Sequence, residues 1–153
     1  MTFHVGVQLH PQATSYVELR DAWRRAESIG VDSIWTWDHF FPLACISASV
    51  PLKLTAQHAD AWNSFGPPET FAHKNAVLDN WCAEIGRDPA EIGRDPAEIG
   101  RDPAEIERTV AIGPDDVDQL DAFLEAGTTH IIVMTGHPFD LAAVEVLIAR
   151  RDA

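Results

Sequence analysis

The stretch Ile34-Trp35-Thr36-Trp37-Asp38-His39-Phe40 decides the fold. Isoleucine, threonine and tryptophan favour a pleated, half-buried chain, and Gly30-Val31-Asp32 before them supplies the turn out of a helix. The spacing predicts a strand over residues 34–38 that runs out into an acid and an imidazole. Parallel α/β sheets and barrels gather their chemistry at the carboxyl ends of strands, where loops vary while the strands hold position. Asp38 and His39 are therefore the candidate catalytic pair. Alternation puts Trp35, Trp37 and His39 on one face and Thr36 and Asp38 on the other, so only one of the pair points straight into a barrel or pocket.

Upstream, apolar residues alternate at Phe3, Val5, Val7 and Leu9, which predicts a first strand. His10-Pro11-Gln12-Ala13-Thr14 breaks it. Ser15 and Glu18 have capping-box spacing, and Leu19, Ala22, Trp23, Ala26 and Ile29 recur at helical intervals until Gly30. Strand, helix and strand make one βαβ unit over residues 1–43.

Downstream, residues 44–58 form a junction, undecided between loop and strand at 44–50 and with a short helix opened by Pro51. Ala59-Asp60-Ala61-Trp62-Asn63 has the look of a short buried strand, stopped by Gly66-Pro67-Pro68. Phe71, Leu78, Trp81, Cys82 and Ile85 then define a helical apolar face starting at Thr70. Residues 108–112 predict another strand. Asp115 or Asp116 caps a helix carrying Val117, Leu120, Phe123 and Leu124, with Gly127 as its stop. The β-branched run at 130–134 is a strand that ends in Thr135-Gly136-His137-Pro138. Asp140 caps a last helix, with Phe139 and Val144 placed as a hydrophobic staple and Arg150-Arg151 at its carboxyl end. About five strands alternating with helices give an α/β parallel architecture.

A heptad repeat interrupts this alternation at residues 84–104. Glu84-Ile85-Gly86-Arg87-Asp88-Pro89-Ala90 recurs letter for letter from Glu91 and from Glu98. Each copy supplies an aspartate N-cap, a proline at N1 and a glutamate at N3, then a glycine that ends the turn. Proline and glycine in every unit exclude a coiled coil, and the aspartates lack the dense oxygen spacing of a calcium loop. The repeat is a tandem duplication of one helix-to-helix connection.

With 153 residues and 46% apolar content, the chain has room for one domain with a real core. A complete eight-stranded α/β barrel takes about 250 residues, so the chain has room for only part of one. A formal net charge of −13 argues against nucleic acid or an anionic membrane as partner. Cys45 and Cys82 have no metal-type spacing and read as reduced thiols. No stretch is long enough to span a bilayer and no secretory signal opens the sequence, so the expected location is cytoplasmic.

These residues resemble the luciferase-like monooxygenase family, and within it the deazaflavin-dependent (coenzyme F-420) oxidoreductases. The resemblance is carried by Val5-Gly6-Val7-Gln8-Leu9, by Ser33-Ile34-Trp35-Thr36-Trp37-Asp38-His39-Phe40, by Ala59-Asp60-Ala61-Trp62-Asn63 and by Thr129-His130-Ile131-Ile132-Val133. It implies a TIM-type (β/α) barrel that binds a deazaflavin or FMN at the carboxyl ends of its strands. It also implies hydride or oxygen transfer to or from a small-molecule substrate. Residues 3–43 match the family's first βαβ unit and residues 53–153 its last third, while the middle of the barrel has no counterpart. The family carries the Gly-Arg-Asp-Pro connection once, and this chain carries it three times. The expected architecture is therefore an incomplete barrel, whose open sheet edges could pair two chains as a homodimer.

In that family the Asp-His at the end of the second strand lies beside the reactive ring, and Asp38 and His39 match it. An imidazole there can shuttle the substrate's proton, and the acid can orient it. The same pair also reads as a turn cap and a satisfied rim residue. Gln8, Trp62 and Asn63 are candidate cofactor-binding residues: an amide can hydrogen-bond a ring carbonyl or nitrogen and an indole can stack, although Trp62 also reads as core. Two alternatives stay open: a catalytically inactive barrel remnant serving as a structural or interaction module, and a metal-dependent hydrolase using His10, His39 and His137. The latter lacks the His-x-His of metal-dependent barrels, since the first strand reads Gln8-Leu9-His10.

Overall fold

The computed structural model describes residues 3–36, 49–85, 104 and 106–153. The chain runs β1 (His4–Leu9), α1 (Tyr16–Ser28), β2 (Ser33–Trp35), α2 (Ser49–His58), β3 (Ala61–Ser64) and α3 (Pro68–Ile85). It continues through β4 (Glu107–Ile112), a 3-10 turn (Pro114–Gln119), α4 (Leu120–Glu125), β5 (His130–Thr135) and α5 (Ala142–Asp152). The capping box forms as its spacing predicts: Ser15 Oγ accepts from the Glu18 amide, and the Glu18 carboxylate accepts from the Ser15 amide at 2.8 Å. Gly30 and Gly127, at φ +86° and +93°, turn the chain out of α1 and α4. Asp140 Oδ1 accepts from the Ala142 amide at the start of α5.

Several elements differ from expectation: the buried strand expected over 59–63 forms at Ala61–Ser64 with only Ser64 buried, the helix expected from Thr70 starts at Pro68, and the N-cap position of α5 is Leu141 instead of Asp140. The strand expected over 34–38 starts one residue earlier, and its strand pairing ends at Trp35; Asp38 and His39 lie outside the described residues, as do 86–103 of the repeat. The helix expected after Gly113 begins as a 3-10 turn, α-helical only from Leu120. Pro114 stands where a helix needs no amide, and Asp116 accepts from the Gly113 amide, so these residues open the turn from which α4 continues.

The five strands among the described residues are parallel in one sheet of order β2-β1-β5-β4-β3. The first and last strands of the chain are therefore neighbours, matched from His4 beside His130 to Leu9 beside Thr135. Parallel neighbours need long crossovers, and the helices supply them. One face of the sheet carries Val5, Val7, Leu9, Val110, Ile112, Ile131 and Val133, which pack with Phe71, Phe123, Val144 and Leu147 from α3, α4 and α5. A smaller cluster of Leu52, Ala56, Leu78, Cys82 and Ile106 holds α2 on α3.

Polar ties fix these layers. Arg108 reaches from β4 to Asn75 Oδ1 and Asp79 Oδ1 on α3, each at 2.9 Å, and Asn75 Nδ2 donates to the Ala126 carbonyl after α4. Arg151 of α5 pairs with Asp32 at 2.7 Å, while Asp32 also accepts from the Val5 amide. Burial opposes ionisation of Asp32, but the Val5 amide and Arg151 outweigh it and hold its pKa below the usual aspartate value. No described helix is long and apolar enough to cross a membrane.

Candidate functional site

The sheet's other face carries the alternate residues, and its register sorts them into rows. Asn63, Thr109, His130 and His4 form one row; Ala111, Ile132, Gly6 and Ser33 the next; Met134, Gln8 and Trp35 the last, toward the carboxyl ends. Gln8 is half-buried in that last row. Asn63 is exposed, and its Oδ1 accepts from Thr109 Oγ1 at 2.8 Å. Because β3 is staggered, Asn63 lies three strands across and two rows away from Gln8. Trp62 points to the helix side and stacks on Phe71 with ring centroids 5.5 Å apart.

At the carboxyl ends, the His10 amide donates to the Thr135 carbonyl, so β1 and β5 stay paired to their tips. Burial lowers the pKa of His10. His137, half-exposed, lies 3.4 Å from Glu18. Glu18 is pulled down to about 2, first by the Ser15 amide, then by the Ser15 hydroxyl, with His137 adding a smaller share. A cavity of about 250 Å³ opens beyond β3, β4 and β5, lined by Phe65, Gly66, Ile112, Gly113, Asp116 and Met134.

Among the described residues, a chain of polar contacts starts at the opposite, amino ends of β4 and β5 and runs across to β2. Trp35 Nε1 donates to Ser33 Oγ at 2.7 Å, Ser33 Oγ lies 2.8 Å from His130 Nε2, and His130 Nδ1 lies 2.9 Å from Glu107 Oε1. An ionised carboxylate only accepts, so Nδ1 carries the proton; in the neutral ring Nε2 then accepts from the Ser33 hydroxyl. The line links β2, β5 and β4 across β1. It passes over β1 because Gly6 has no side chain: a Cβ there would stand 2.5 Å from Ser33 Oγ and 2.9 Å from His130 Nε2. His130 is only 4% exposed, so its ring is held from both sides in a single orientation.

Hydroxyl, imidazole and carboxylate have the connectivity of a proton relay, but this hydroxyl also receives an indole N–H, and the imidazole and carboxylate stand at the sheet's amino edge. In barrels, that end serves stability. Little in the sequence announces this cluster. His4 lies within the first expected strand and His130 opens the last, yet Glu107 falls between the repeat and the strand expected from Arg108, and Ser33 entered only as part of the stretch that carries the resemblance. What joins them is register between strands distant in the chain, which local periodicity does not encode. No family model matches the chain, and no curated protein sequence matches it.

Proposed function

We propose that the chain is an open arc of a luciferase-like barrel, an oxidoreductase that carries out hydride or oxygen transfer with a deazaflavin or FMN once a second copy completes its mouth. The observation that supports this reading is the strand order. The first and last strands lie side by side with their flanking strands outward, as in a barrel cut open between its second strand and a later one. Among the described residues, β2 and β3 are paired on one side only, which leaves ladder groups for another chain to satisfy. Ile34 and Trp35 on β2 are 41% and 40% exposed.

The described residues suit a cofactor's ring better than its anionic tail. Gln8 offers an amide at the carboxyl end, where a ring carbonyl or nitrogen would accept or donate. The nearby cavity is smaller than the roughly 300–1,000 Å³ usual for ligand sites. The ionisable group in its lining is Asp116, a carboxylate already holding the Gly113 amide. A phosphate would be repelled there, which is why the proposal requires an assembled mouth. Asp38 and His39 keep their proposed roles: the imidazole moves the substrate's proton and the acid orients it.

The same carboxylate favours the second reading, a barrel remnant without catalysis. Titrating the purified chain with FMN and with a deazaflavin, followed by visible absorbance and a hydride-transfer assay, separates the two. The proposal expects a bound spectrum with transfer, weakened about tenfold in Gln8→Ala, the worth of one hydrogen bond. No spectral change with either cofactor decides for the remnant.

A further inference from the structure

We infer that the amino edge of the sheet holds a divalent-metal site of zinc type, formed by His4, Glu107 and His130. The inference is independent of the redox proposal and lies at the other end of the strands. Each residue is the first of its strand, and β5 stands between β1 and β4. Their side chains leave the sheet on the same face, because His4 and His130 are register partners and Glu107 lies two residues before Thr109, the partner of His130 on β4. One potential ligand atom from each residue lies within 4.8 Å of the others, and the two imidazole centroids are 5.7 Å apart.

Two nitrogens and one carboxylate oxygen are the donor set of three-ligand zinc centres, which keep a fourth position for water. The pieces differ usefully in freedom. His130 is buried and fixed, whereas His4 is exposed and the Glu107 side chain is 42% exposed, so an ion enters from solvent and the outer two ligands close on it. The 2.9 Å between His130 Nδ1 and Glu107 Oε1 is near the spacing of two ligands on one small ion, with the shared proton replaced by the metal.

Ser33 supplies the outer support. With the metal on Nδ1, His130 Nε2 carries the proton and donates to Ser33 Oγ, a hydroxyl able to accept where it formerly donated. Trp35 Nε1 fixes that oxygen at 2.7 Å. Gly6 leaves room for the bond. Imidazole orientation by a second hydrogen bond is what distinguishes a built metal ligand from a surface histidine.

The test is titration of the full, metal-free chain with Co²⁺ as a spectroscopic stand-in for Zn²⁺, followed by competition with Zn²⁺. The expected result is one ion per chain, with visible absorption of low-symmetry Co²⁺ that Zn²⁺ abolishes. His4→Ala and Glu107→Gln, both at solvent-exposed side chains, should each lower affinity by more than the roughly 10–100-fold expected of Ser33→Ala. Circular dichroism confirms that each variant is folded. Absence of the Co²⁺ band, or a band equally strong in His4→Ala and Glu107→Gln, overturns the site.

Discussion

Gly6 governs the face of the sheet opposite the main core through what it lacks. Any side chain there enters the space in which Ser33 and His130 meet, with Ser33 Oγ only 2.5 Å from an added Cβ. Gly6→Ala should therefore destabilise the fold by about 1–3 kcal/mol, the usual cost of overpacking a tight site. In a Ser33→Ala background the cost should shrink, because the nearer clash is gone while that with His130 remains. Urea unfolding of the four proteins of this cycle measures it, and additive effects would show that the two positions do not meet.

Glu18 is the second residue whose behaviour follows from local geometry. Its carboxyl, held at about 2, lies below the ordinary 4.5, so the folded state binds its proton less readily than the unfolded state. The sign follows: the contribution is complete above pH 4.5 and is lost as the pH falls through about 2. An NMR titration should find the midpoint near 2 and should find it raised toward the ordinary glutamate range in Ser15→Ala. An unchanged midpoint would leave the Ser15 amide, which this variant retains, as the whole cause and remove the hydroxyl from the account.

Among the elements, α3 is the one that joins the two halves of the helix layer. Phe71 is fully buried between Trp62 and Phe123, and Asn75 bridges Arg108 on β4 to the Ala126 carbonyl beyond α4. Asn75→Ala removes both bonds and should cost about 1–3 kcal/mol in denaturant unfolding. A change under about 0.5 kcal/mol would mean that α3 is held by its apolar face alone.

Most elements were legible at this scale. The Ser15/Glu18 box, the glycines after α1 and α4, the alternation of β1 and the β-branched run of β5 each carry their information within a few residues. Register between strands was not legible, because it depends on how distant segments bury their faces together. That is why the sequence names Gln8 and Asn63 as cofactor-binding candidates without showing how far apart they stand, a separation that the stagger of β3 sets at two rows. It is also why the cluster of Ser33, His130 and Glu107 went unanticipated. Trp62 shows a third limit: an indole near a strand end suits a ring stack or a core equally, and the face it takes here puts it on Phe71.

At the scale of the whole molecule, a parallel sheet with two outer strands is half of a solved problem. In a closed barrel no strand has a free side, and in a doubly wound fold helices cover both faces. Here the described helices that build the main core pack against one face, while the other presents Gln8, Ser33, Trp35 and His130. A chain of net charge −13 repels its own copies at long range, so association must rest on strand edges and on exposed apolar groups such as Ile34 and Trp35. Salt should therefore strengthen the proposed self-association by screening that repulsion, which light scattering at low and high salt measures. The direct measurement is light-scattering mass with simultaneous cofactor absorbance, made with and without FMN or deazaflavin. The proposal predicts a particle of twice 16.9 kDa carrying bound cofactor, whereas a 16.9 kDa particle that stays colourless under every condition would contradict it.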